Sequence, residues 1–214
     1  MSKMWKSFGI VLIAIALSAC QSGDNSYAVH RSGFDPSDKS IEYQVYPVQS
    51  QLTLSIYPKS EGAPAVIRAS LEEGNLYVEG GEVRGGNAVA NMEKPIVEMP
   101  ASPSPNASLP DPLGKKMLDK AGYDQAKLEI ARITPDFNEE NGSTHLIALN
   151  LKLRNKKRGL KVPARIVINQ DHIALMSVGM FSVDLTKWGM RPEQEGWQKE
   201  AILALQIRGD IQKK

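Results

Sequence analysis

Residues 147–168, IALNLKLRNKKRGLKVPARIVI, carry the pattern on which the fold turns. Ile147, Leu149, Leu151 and Leu153 alternate with Ala148, Asn150 and Lys152. After the basic stretch Lys156-Lys157-Arg158-Gly159 the same period returns in Leu160, Val162, Ala164, Ile166 and Ile168. Side chains of a strand point alternately to opposite faces, so an apolar parity of period two marks a strand with one dry face. Two such runs joined by a polar stretch predict a hairpin that turns at 156–159.

The alternation extends in both directions. Downstream, Ile173, Leu175, Phe181, Val183 and Leu185 share one parity, with Ser177 and Gly179 between, and Ala201, Leu203, Leu205 and Ile207 follow. Upstream come Ala126, Leu128 and Ile130, then Leu76 and Val78 before Gly80-Gly81, Val83 before Gly85-Gly86, and the runs Leu52-Leu54-Ile56 and Ile41-Tyr43-Val45. The paired glycines fit tight turns or bulges. About eight or nine short strands with one helix predict a mainly antiparallel β domain. An up-and-down barrel is the arrangement that best removes exposed strand edges. The inward parity is predicted to carry Leu149, Leu151, Ile166, Ile168, Phe181, Val183, Leu203 and Leu205. Asn150, Lys152, Arg165 and Asp184 are predicted to face outward. A β-sandwich core accounts for the alternation equally well.

Residues 95–112 are too rich in proline for a strand or helix interior. Asp111-Pro112 reads as an N-cap with proline at the first helical position, opening a short helix over 112–121 that Gly122 ends. Leu113, Met117 and Leu118 give that helix an apolar side. It is expected to cap one barrel mouth and act as a gate.

The chain has 214 residues, 42% hydrophobic and 23% charged, which is globular composition and excludes wholesale disorder. One cysteine excludes internal disulfides and thiolate-rich metal clusters. A formal charge of +2 is too small for a nucleic-acid binder. His30, His145 and His172 lack ligating spacing, and no P-loop, GxSxG or Rossmann pattern is present, so neither metal nor catalytic chemistry is expected.

The N-terminus places the protein. Lys3 and Lys6 precede an apolar run from Phe8 to Leu17, shorter than the roughly 20 residues of a membrane span. Leu17-Ser18-Ala19-Cys20 resembles the bacterial lipobox. That resemblance implies a signal peptide over 1–19 and lipidation of Cys20; the polar residues that follow predict a lipidated tether over 20–40, and the alternation from Ile41 onward a barrel domain over 41–210. Acyl chains on Cys20 would hold the protein in the membrane. Gln21 after the cysteine implies the outer membrane, facing the periplasm.

Phe181-Ser-Val-Asp-Leu-Thr-Lys-Trp-Gly-Met190 resembles the late segment of YceI-like proteins. The hairpin of residues 142–168, with its Val-Pro strand Leu160-Lys-Val-Pro-Ala-Arg-Ile, is similar to that family's hairpin. Residues 113–126 resemble its helix, and the strand over 200–207 falls where the family closes its barrel. Gln49-Ser50 stands where the family has His-Ser. The resemblance implies a lipocalin-like eight-stranded barrel with a capping helix, holding a polyisoprenoid or isoprenoid quinone in an apolar lumen. The eight inward residues above would then contact the ligand, and no other cofactor is implied. A structural or assembly lipoprotein with a filled barrel and a protein partner is the alternative, and an enzyme acting on lipid or peptidoglycan a more distant one.

Overall fold

The computed structural model describes residues 27–32, 34–99 and 125–211. Its strands are β1 (Ile41–Val45), β2 (Gln51–Pro58), β3 (Ala65–Glu79), β4 (Glu82–Asn91), β5 (Ile96–Glu98), β6 (Gln125–Asn138), β7 (Ser143–Leu153), β8 (Lys156–Ile168), β9 (His172–Ser177), β10 (Phe181–Asp184) and β11 (Trp197–Ile211). Pairing runs β11-β2-β3-β4-β6-β7-β8-β9, and β9 pairs β11 again, so the sheet closes on itself. Every pairing is antiparallel, with sequence neighbours mostly adjacent in space. This is the expected eight-position lipocalin-like barrel. The expected capping helix over 112–121 lies outside the described residues.

Ten of the eleven strands occupy eight positions because two positions are interrupted. β1 and β2 lie in series between β11 and β3. Proline at the first residue of the 3-10 turn Pro47–Gln49 removes a ladder donor at that break. β9 and β10 both pair β11, separated by a bend with Gly179 at φ 75°. The sequence reading of Ile173 to Leu185 as one strand is therefore corrected. A serine mends the ladder at each break. Arg208 N donates to Ser50 Oγ at 2.9 Å, and Leu205 N donates to Ser177 Oγ at 2.9 Å. β5 adds a short rung on β3.

Two hairpins use two-residue turns with positive φ, the geometry that matches strand twist. Gly80 and Gly81 have φ 63° and 80°, and Arg154 and Asn155 have φ 47° and 63°. The second turn sits two residues before the predicted one, so Lys156 to Gly159 belong to β8. Gly85-Gly86 lie inside β4 beside a bulge rather than at a turn.

The described part of the expected tether is not a free linker. Gly159 N donates to the Tyr27 carbonyl at 3.3 Å. His30 N donates to Asn150 Oδ1 at 2.8 Å, and Asn150 Nδ2 donates back to the His30 carbonyl at 2.9 Å. Phe34 stacks obliquely on Tyr77, ring centroids 5.8 Å apart, and Ser37 Oγ donates to Glu79 at 2.7 Å. Residues 27–32 and 34–37 thus form a strap crossing the outer wall from β8 over β7 to β3 and β4. Phe34 fits because Gly85 has no Cβ to meet its ring, and Ala28 fits because Gly159 has none to meet its carbonyl.

Candidate functional site

The barrel interior is built from the parity that the sequence singles out. Leu149 pairs across the ladder with Leu160, Leu128 with Leu151, and Phe181 with Leu203, which in turn faces Leu54. Antiparallel pairing places directly opposed residues on one face. These side chains therefore converge, and they join a single apolar core cluster with Val183 and Leu205. Ile166 and Ile168 are half-buried and pack on the edge of that cluster, near the turn from β8 into β9.

Among the four residues predicted outward, Arg165 is exposed and Lys152 and Asp184 are half-exposed. Asn150 corrects the expectation of a solvent-facing side chain. It has outward parity but only 1% exposure, because the strap covers it. Its amide also donates to Glu129 at 3.2 Å. Burial would raise the Glu129 carboxyl, but hydrogen bonds from Lys157 and Asn150 outweigh it and hold the group below its ordinary range.

One end of the barrel is lined by large side chains. Trp188 and Trp197 are both buried there with Met92 and Met190. Trp188 lies in the 3-10 turn Leu185–Trp188, which Asp184 caps by accepting from Thr186 N and which ends at Gly189 with φ 76°. Its Nε1 donates to the Leu151 carbonyl at 3.1 Å, and Tyr27 meets it edge-on at 5.9 Å between centroids. Tyr27 OH accepts from Asp184 N, and burial raises its pKa. β5 ends and β6 begins at this same end, because β5 pairs Val66–Arg68 and Gln125 pairs Asn91. The expected gate residues Leu113, Met117 and Leu118 lie outside the described residues, as does Cys20.

Chemically the interior is uniform. Among the described residues, the buried polar side chains are Ser50, Ser143, Asn150 and the Tyr43 phenol, and no Asp, Glu, His, Lys or Arg side chain is buried. Ser50 serves the β1–β2 break and Ser143 Oγ donates to the Asp136 carbonyl at 3.3 Å. Among the described residues no three His, Cys, Asp or Glu side chains gather as a metal site. The inward leucines Leu149, Leu151, Leu203 and Leu205 expose at most 2% of their surface. Ser177, with its place in the β11 ladder, maintains the sheet rather than clearing room for a ligand. Met176 and Met180 point away from the core and are exposed, whereas Met190 is buried.

The strap was missed by sequence reasoning. Residues 21–40 show no apolar period, and a segment held by one amide and two glycines leaves little trace in composition. The signals available were an asparagine in the middle of an apolar strand and a glycine, Gly159, where β8 needed none for a turn.

No protein family profile matches the chain, and no curated protein matches it. Solved structures do. A polyisoprenoid-binding domain from Saccharophagus degradans, implicated in plant cell wall breakdown, superposes with a TM-score of 0.55 at 9% identity. The match covers 80% of this chain and 99% of that one. BcnA from Burkholderia cenocepacia superposes with a TM-score of 0.52 at 11% identity, covering 77% of this chain and 98% of BcnA. The fold implied by the resemblance to YceI-like proteins is the fold of this chain.

Proposed function

We propose that this barrel binds a long apolar lipid of the polyisoprenoid class, a polyprenyl chain or quinone tail, for storage or transport in the bacterial envelope. The observation that carries the reading is the closed ring around an interior with no buried carboxylate, imidazole or cation among the described residues. The fold shared with a polyisoprenoid-binding domain supports it. Such an interior favours hydrocarbon over water by about 0.8 kcal/mol per CH₂ group. Against a bilayer, where the tail is already dry, selectivity falls to shape and headgroup contacts. A wall without positioned acids or bases suits binding rather than catalysis.

Anchoring fits this role. An acylated Cys20 would lie seven residues from Tyr27, a span of at most about 25 Å. Tyr27 packs at the Trp188 end, so that end would face the bilayer and shorten the path of a lipid. Cys20→Ser should abolish acylation and release the protein from the membrane fraction. A serine variant that still partitions into detergent would refute the anchor.

Close packing of the inward leucines favours a second reading, a filled barrel serving as a structural lipoprotein for a protein partner. Titration with a short-chain isoprenoid quinone separates the two. Trp188 and Trp197 stand at the barrel end, so a tail entering there should quench their fluorescence saturably at one quinone per protein. Linear, unsaturated quenching no stronger than for free indole would favour the filled barrel.

A further inference from the structure

On the outer wall, beside the strap, His30, Arg31, Arg132, Leu146, Ala148 and Lys161 border a cavity of about 260 Å³. Strand register explains it. Arg132 pairs with Ala148, and Ala148 pairs with Lys161, so the two cations flank a methyl group in one lateral row. Neighbouring strands lie about 4.8 Å apart, which sets the Arg132 and Lys161 backbones about 10 Å from each other. Ala148 is too small to fill the gap, and Leu146 in the next row completes an apolar floor.

The strap supplies the remaining wall. Asn150 clamps the His30 backbone from both sides, and His30 Nε2 donates to the Leu160 carbonyl at 3.1 Å. Arg31 is thereby held over the cavity. Among the described residues Arg31, Arg132 and Lys161 have no carboxylate partner. Glu129, one row away, is already taken by Lys157 and Asn150. Three like charges around one hollow repel each other, and a bound anion relieves that repulsion. An apolar floor lowers the local dielectric and strengthens each attraction.

We propose that this cavity binds a phosphate group, with Arg31, Arg132 and Lys161 as its cationic ligands. Arginine forks suit several phosphate oxygens at once, and the lysine adds a point charge. The site lies on the opposite face of the strands from the core, so it stands or falls independently of lipid in the interior. The phosphate could belong to a lipid headgroup or to a soluble ester, and Leu146 is placed to touch the start of an acyl chain.

The test is an NMR titration of the purified protein with sn-glycerol 3-phosphate and, separately, with monomeric dihexanoyl phosphatidic acid. Both should shift the His30, Ala148 and Lys161 amides saturably. Lys161→Glu should weaken binding at least tenfold, equivalent to about 1.4 kcal/mol. Ala148→Leu, which alters no charge but fills the hollow, should do the same. Tighter binding of the dihexanoyl lipid, with added shifts at Leu146, would assign a headgroup. Equal affinities would assign a soluble ester. Shifts spread without saturation over the surface lysines, or saturable binding that Ala148→Leu leaves unchanged, would overturn the proposal.

Discussion

Asn150 stands between Leu149 and Leu151, both turned into the core, while its own amide is spent on the strap and Glu129. Its outward parity is legible in the sequence and its burial is not, since the covering segment lies 120 residues away. Asn150→Ala strands the His30 N–H and carbonyl and should cost about 1–3 kcal/mol in urea unfolding. It should also speed amide exchange at Gly159, whose N–H the strap accepts. Unchanged stability and exchange would show that the strap is held elsewhere. Acid should act on the same network. Glu129 is depressed in the folded protein, so its contribution is complete above its unfolded value of about 4.3 and disappears as pH falls through the lower folded value. Gly159 exchange, corrected for the intrinsic rate, should therefore rise below about pH 4 in the wild type and lose that step in Glu129→Gln.

At the scale of elements, the strands most legible in the sequence are those with unbroken alternation. β7 and β11 keep one apolar parity over most of their length. β3 was harder to read. Its two halves are joined by Glu72-Glu73-Gly74, and a bulge there shifts register against β4 between Leu71 and Glu73. Period two cannot be followed through such a shift, because one added residue exchanges the two faces. The break at Gly179 hides for a different reason. The chain resumes the same ring position on the far side, so parity alone reads Ile173 to Leu185 as continuous. The strap has no period at all, and its test is steric. Gly159→Val places a side chain where the Ala28 carbonyl now lies. That variant should free residues 27–30 to rapid exchange while the β7–β8 amides stay protected. Global loss of protection would mean that the strap is part of the folding core.

At the scale of the molecule, the described strands form a sheet closed by β9 on β11, and closure explains why an apolar interior can persist without exposed edges. The barrel and most of its inward face follow from sequence period together with the resemblance to YceI-like proteins. The cationic hollow does not, because Arg31, Arg132 and Lys161 become neighbours only through register and the strap. The interior leucines belong to one buried apolar cluster, and a lipid tail must enter among them. Native mass spectrometry of the protein extracted from its own membrane with mild detergent addresses this directly. The expected spectrum holds a species heavier than the acylated polypeptide by one isoprenoid lipid, released when Leu149→Asp places a carboxylate in the interior. A wild-type spectrum holding only the polypeptide and its N-terminal acyl groups would contradict it.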